Sequence, residues 1–251
     1  MNQNIDVDTN NQKPNARVHD LIVSSMGKRI VSGVYKADVS LGNETELGKD
    51  FSASRTATRE ALKMLSSKGL IESKPKIGTV VKGREHWNML DPMVLKWCLE
   101  DPKLATRTMA EIYEMRLAVE PNCAMLAAKN HSAEDKLSMR KALRGMAHYV
   151  SAADKVASDL AFHTSILRAT QNSLFMTLGG LISVGLEHIF HSSLEATAEE
   201  DDRWIERHKL VFNAIDSRNS AKAGQHMEKL LVDARDIQRE RIPAVAAGMH
   251  R

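Results

Sequence analysis

Residues 44–82, ETELGKDFSASRTATREALKMLSSKGLIESKPKIGTVVK, decide the fold of the N-terminal part of this chain. A short helix is expected over 44–51, with Leu47 and Phe51 turned inward. Ser52-Ala53-Ser54 then makes a tight polar turn, and Ser54 caps a second helix over 55–68 that Gly69 ends. Two short strand candidates follow, 70–73 and 79–82, joined by Lys74-Pro75-Lys76-Ile77-Gly78. Upstream, RVHDLIVSSMGKRIVS at 17–32 places apolar residues at 18, 21, 22, 26 and 30, which is a helical stripe, and Gly33 stands where a glycine would stop it.

Helix, short helix, turn, helix and basic two-stranded ribbon is the order of a winged helix-turn-helix. In that geometry the third helix enters the major groove by its N-terminal end and the wing reaches phosphate or the minor groove. Arg55, Thr56, Thr58 and Arg59 fall on the groove-facing part, while Ala57, Ala61, Leu62 and Leu65 are free to pack inward. Arginine forks onto a guanine edge, and threonine suits phosphate or a thymine methyl. The charge agrees: from Lys49 to Arg84 there are nine Lys or Arg against three acids, whereas the whole chain carries only +3. A charge run alone is usually a solvated face. On this element order it is a footprint for a phosphate backbone.

Past Arg84 the pattern is helical throughout, with helices expected over 91–99, 103–129, 133–150, 152–170, 174–196, 200–217 and 220–241. The expected fold is therefore mainly α: a winged helix-turn-helix followed by an all-helical bundle of six or seven helices. The expected boundaries are a disordered tail at 1–14, the DNA-binding domain at 15–83, a linker at 84–102 and the helical domain at 103–243. Trp87 and Trp97 flank the linker and are expected to hold the two domains together.

Composition narrows the class. Of the 251 residues, 43% are hydrophobic and 27% charged, as in a globular chain, and aromatics are only 4%. Two cysteines, Cys98 and Cys123, give neither a disulfide framework nor a C-x-x-C clip, which fits a reducing cytoplasm. The first residues lack a secretory pattern, and the longest apolar stretch, LFMTLGGLISVGL at 174–186, is shorter than the roughly 18 residues of a membrane span.

The segment 33–81 resembles the DNA-binding domain of the GntR family of bacterial repressors. The resemblance is carried by Glu46-Leu47, by Ser54-Arg55 followed by Arg59-Glu60-Ala61-Leu62, by Gly69-Leu70-Ile71 and by Gly78-Thr79 before Val81. Asp38 stands where the family usually has a turn glycine, and Gly42 replaces a common proline. The resemblance implies DNA contacts from Thr45, Ser54, Arg55, Thr56, Thr58, Arg59, Lys76 and Gly78, made by a homodimer on a double-stranded operator. The remainder resembles the ligand-binding domain of the FadR subfamily, marked by Arg116 in EMRLAVEP, Asp159 and His163 in SDLAFHTSILRATQN, and His208 in ERHKLVFNAI. EHWNMLDPMVLKWCLE at 85–100 is similar to the linker in regulators of galactonate and related sugar-acid operons.

Asp159 and His163 are four apart, so they project from one helical face one turn apart. On spacing alone such a pair is more often a surface feature or a satisfied polar pair in a core. With His208 from a neighbouring helix it becomes a carboxylate and two imidazoles, a set that suits a divalent metal such as zinc, nickel or manganese. In metal-binding relatives the last long helix supplies a further histidine, and Leu230 stands at that position here. The metal is then held by three protein ligands or is absent, and in either case Arg116, Asp159, His163 and His208 are the expected contacts of a small carboxylate effector. Arg116 has two readings: an exposed arginine paired with Glu120 along the helix, or a buried guanidinium taking a carboxylate as a fork. The rival functional class is a metal-dependent enzyme or a metal sensor, since two histidines and a carboxylate also serve non-heme iron chemistry.

Overall fold

The computed structural model describes residues 18–192 and 198–248, so the tail expected at 1–14 lies outside the described residues. The chain divides into two compact units, Met1–Asp101 and Pro102–Arg251.

In the first unit, α1 (Val18–Val31) buries Ile22, Val23, Met26, Gly27, Ile30 and Val31. Helix α2 (Glu44–Asp50) starts on a capping box in which Asn43 accepts from Thr45 and Glu46, and the Glu46 carboxylate takes the Asn43 N–H at 2.8 Å. Helix α3 (Arg55–Ser67) is capped by Ser54, whose hydroxyl accepts from Ala57 N–H at 3.2 Å. Strands β1 (Ile71–Lys74) and β2 (Gly78–Val81) form an antiparallel hairpin with Ile71 opposite Val81 and Lys74 opposite Gly78.

The wing has a third edge that sequence patterning does not give. Leu41 N–H donates to Thr79 O at 2.7 Å, Thr79 N–H to Gly42 O at 2.9 Å and Val81 N–H to Val39 O at 3.1 Å. Segment 39–42 thus lines the free side of β2 through one isolated bridge, Ser40 to Val80, too short to show as an alternation. Asp38 leads into this edge at φ 64°, which explains why a glycine suits that position and why aspartate is tolerated there.

After a 3-10 turn (Arg84–His86), α4 (Pro92–Glu100) is capped by Asp91. Asp91 also takes the ammonium of Lys68 at 2.7 Å, which ties the end of α3 to the start of α4. The Trp97 ring lies against α1 inside the first unit, where a Cβ on Gly27 would come within 2.3 Å of it.

The second unit holds α5 (Ala105–Asn130), α6 (Ala133–Ala147), α7 (Ala152–Ala169), α8 (Ser173–Met176), α9 (Gly179–Ser192), α10 (Ala198–Asp216) and α11 (Ser220–Gly248). Helix α5 packs on α7, α9, α10 and α11 around a core with Phe162, Ile166, Met139, Met146, Ile215 and Met227 fully enclosed. Truncating such a side chain costs about 2–5 kcal/mol, because the cavity collapses only in part. The single helix expected over 174–196 is broken at 177–178, where Thr177 turns its hydroxyl back to Leu174 O at 2.6 Å just before Gly179-Gly180, poor helix formers that open α9; residues 193–197 lie outside the described residues. Helix α11 in turn runs past the expected end at 241. Among the described residues no helix is long and apolar enough to cross a membrane.

Candidate functional sites

The first site is the exposed end of α3. Arg55, Thr56 and Arg59 are exposed and follow the Ser54 cap, and Arg55 Nη2 lies 3.5 Å from Thr45 Oγ1 on α2. Thr45 and Arg55 therefore share one surface. Thr58 does not join them, which corrects the sequence reading. Its side chain is fully buried, donates to Ser54 O at 3.1 Å and sits against Gly48, where an added Cβ would approach its hydroxyl to 3.2 Å. A hydroxyl that closes the α2–α3 turn is not free for DNA.

Between α3 and the hairpin runs a groove of about 310 Å³ lined by Arg59, Lys63, Ser66, Ser73 and Thr79 among others. Lys76 is exposed at the hairpin loop with φ 66°. Gly78 has φ 95°, and a Cβ there would come within 2.5 Å of Gly42 O. The site needs glycine for the approach of the third edge, a backbone reason independent of any DNA contact.

The second site lies inside the helical unit. Helix α5 contributes Arg116 and Glu120, α7 contributes Asp159 and His163, and α10 contributes His208, each at most 4% exposed. His208 Nε2 is 2.9 Å from Asp159 Oδ1, and His163 Nε2 is 3.5 Å from the same oxygen. Arg116 Nε donates to Glu120 at 2.5 Å, Arg116 Nη2 lies 3.3 Å from His163 Nε2, and the guanidinium sits 5.8 Å from the centre of the Tyr113 ring. Each sequence reading of Arg116 holds one half: the side chain is buried, and its carboxylate is Glu120.

Glu120 is the residue sequence reasoning missed. One oxygen takes Arg116 and the other takes His163 Nδ1. The only signal was its i+4 spacing from Arg116, which ordinarily marks a surface pair.

Burial alone would raise the Glu120 carboxyl; the Arg116 guanidinium and then His163 outweigh it and hold it at about 2. Burial likewise opposes ionisation of Asp159, and hydrogen bonds from His163 and His208 outweigh it, so that carboxyl stays well below the usual range. Desolvation lowers His163, and the Glu120 charge with its Asp159 and Glu120 hydrogen bonds lifts it to about 9. Burial pushes the Tyr113 hydroxyl up to about 12 against the opposing pull of Arg116.

The ring nitrogens decide what the trio can hold. His163 Nδ1 faces the Glu120 carboxylate and His208 Nδ1 faces Trp204 O at 2.7 Å, so both Nε2 atoms are turned toward Asp159. Ligand atoms of Asp159, His163 and His208 all lie within 4.8 Å of one another. Imidazoles oriented through their second nitrogen are the usual pattern around a bound metal, and the residues fit one. Leu230 is buried and offers no donor, and His226 on α11 stands outside the trio.

Residues 20–81 match the family described as bacterial regulatory proteins, gntR family, and residues 111–233 match the FCD domain. A galactonate operon transcriptional repressor of Escherichia coli (strain K12) is 32% identical over 212 residues, covering 82% of this chain and 90% of the relative. The chain belongs to the GntR family. A gluconate operon transcriptional repressor of Bacillus subtilis (strain 168) is 25% identical, over 83% of this chain and 79% of its own. A solved structure described as Lar, which controls the expression of the Listeria monocytogenes agr system, aligns with TM-score 0.61 at 14% identity, over 92% of this chain and 99% of its own. At that identity it speaks for the fold. As a GntR-family member with this N-terminal unit, the protein is a DNA-binding transcription regulator.

Proposed function

We propose that this regulator is a cytoplasmic, homodimeric repressor of an operon for sugar-acid catabolism, released from its operator by a small carboxylate effector bound in the helical unit. The observation that carries the reading is the buried row Glu120, Arg116, His163, Asp159 and His208. Curated relatives named for galactonate and gluconate operons supply the class of pathway.

Charge ties the anion to a bound cation. Without a metal, His163, lifted to about 9, carries a proton that offsets one of the two carboxylates while Arg116 offsets the other; with both imidazoles neutral, as metal ligation requires, the row sums to one negative charge. Asp159, His163 and His208 are the residues that would hold a divalent ion, such as zinc, nickel or manganese; when bound it supplies Lewis-acid attraction for an oxygen anion and turns the sum to one positive. Glu120 orients His163 through Nδ1, Trp204 O orients His208, and Arg116 offers its remaining N–H groups to the carboxylate. Desolvation in this interior strengthens each attraction.

In the first unit, Arg55 and Arg59 read base edges, Thr45, Ser54 and Thr56 position the helix, and Lys76 holds phosphate at the wing with Gly78 letting the loop turn. One such module spans only a half-site, so two copies on a pseudo-palindrome make the tight complex. Release follows if the effector binds the DNA-incompetent arrangement of the dimer more tightly.

Calorimetric titration of the purified protein with sugar acids, before and after chelation, tests this reading. Binding of at least one sugar acid, lost in Arg116→Ala, supports it. No binding by any carboxylate in either condition overturns it.

A further inference from the structure

The groove of about 310 Å³ in the first unit has a helical wall and a hairpin wall. On α3, Lys63 follows Arg59 by one turn and Ser66 follows Lys63 by nearly another, so the three share the face that lines it. On the other wall, Ser73 and Thr79 are opposite each other in the hairpin and so present their side chains on one sheet face. Thr79 is only 7% exposed. Its N–H donates to Gly42 O and its C=O accepts from Leu41 N–H, while its hydroxyl makes no hydrogen bond among the described residues. A hydroxyl that gives up most of its water without a partner in the chain is costly, and a ligand in the groove would supply the missing acceptor.

Duplex geometry says what passes there. The N-terminal end of α3 enters the major groove and the wing reaches the neighbouring minor groove. Those two grooves of a duplex are separated by one sugar-phosphate strand, so that strand crosses the unit between α3 and the hairpin, where this recess opens. Lys63 is exposed and pairs with Glu60 at 2.9 Å, a surface contact that contributes little and yields readily to a phosphate. Of the two carboxylates that line the groove, Glu72 is answered by Lys74 at 2.8 Å and Glu44 opposes an anion, which leaves Lys63 and Arg59 as the attractive charges.

We infer that this groove seats one backbone phosphate of each half-site, held by the charge of the Lys63 ammonium and by a directed hydrogen bond from the Thr79 hydroxyl. This rests on the reading above that α3 enters the major groove and the wing lies beyond it. The contact carries no base information; it fixes how deep α3 sits and in what register Arg59 meets the base edges. Lys63 and Thr79 are therefore positioning residues for the reading helix, with a role separate from that of Arg55 and Arg59.

The test is fluorescence anisotropy of the intact protein with a selected operator and with a random duplex, over a salt series, in the wild type, Lys63→Ala, Thr79→Val, Thr79→Ser and Arg59→Ala. Lys63→Ala is expected to weaken both duplexes by the same factor and to lower the slope of log affinity against log salt by about one. Thr79→Val should weaken both about tenfold, the size of a hydrogen bond to a charged group, with that slope unchanged. Its melting temperature should not fall, because no bond inside the chain is lost, and Thr79→Ser should bind as the wild type does. Thr79→Ala replaces the valine variant if calorimetric melting shows the latter unfolded. Replacing operator phosphates one at a time by neutral methylphosphonates should reveal one position per half-site that weakens the wild type and leaves Lys63→Ala unaffected. Wild-type affinity in Thr79→Val, a Lys63→Ala defect confined to the operator, or no such position in the phosphate scan overturns the inference. If Arg59→Ala keeps the full preference for operator over random duplex, the placement of α3 fails first and this inference falls with it.

Discussion

Glu120 and His163 meet through Nδ1 of the imidazole, and that contact decides which ring nitrogen faces Asp159. The other Glu120 oxygen is held by Arg116, so one carboxylate sets both the tautomer of a candidate metal ligand and the position of the buried guanidinium.

Removing that charge while keeping the shape should weaken the metal site without unfolding the bundle. Glu120→Gln is expected to lower affinity for a divalent ion about 10–100-fold. Glu120→Leu should instead destabilise the protein by about 3–5 kcal/mol, because Arg116 is left buried without its partner. Metal content by elemental analysis and melting by calorimetry separate the two.

On α3, Arg59→Ala should cost about 1–3 kcal/mol of operator affinity by losing a base-edge contact. Thr58→Val should leave operator affinity unchanged and lower stability by about 1 kcal/mol, because its hydroxyl serves the helix start. Gel shifts at fixed salt with parallel denaturant melts check both. A strong DNA defect in folded Thr58→Val would return that residue to the interface.

Gly27→Ala should destabilise the first unit by about 1–3 kcal/mol, since its methyl would overlap the Trp97 ring. The loss should largely vanish in Gly27→Ala with Trp97→Leu, read as a double-mutant cycle in thermal unfolding.

Asp135 caps α6 with Ser132 and receives Arg168 Nε at 2.9 Å from α7. Burial opposes its ionisation, and the Ser132 and Arg168 hydrogen bonds outweigh it, so the folded carboxyl titrates below its unfolded value. Its contribution is therefore complete above the unfolded value, about pH 4, and is lost as pH falls through the lower folded one. The stability gap between the wild type and Asp135→Asn should be about 1 kcal/mol or more near neutral pH and shrink on acidification below about pH 4. A gap that stays constant down to pH 2 would contradict it.

Much of the winged unit was legible because its signals are local: the Ser54 cap, the Gly69 stop and Ile22, Met26 and Ile30 of the α1 stripe each need only neighbouring residues, whereas Val18 and Leu21, read into the same stripe, are exposed. The grouping of Asp159, His163 and His208 was legible from spacing and family resemblance together, and the structure brings these three side chains into one cluster. What failed to show depends on contacts distant in sequence. The edge at 39–42 pairs with β2 through a few bonds only. Thr58 looks like a surface threonine until Gly48 is packed against it, and Trp97 looks like a linker residue until Gly27 opens a place for its ring. Glu120 reads as half of a surface pair until α7 brings His163 against it.

The most direct measurement is fluorescence anisotropy of a labelled operator, selected from random DNA by the protein itself, titrated with galactonate and gluconate. The wild type should release the DNA on addition of a sugar acid. Arg116→Ala and His208→Ala should bind the DNA normally and fail to release it, because the DNA-reading helix lies in the other unit. Release from Arg116→Ala at the wild-type concentration of sugar acid, or no release of the wild type by either acid, would contradict the account.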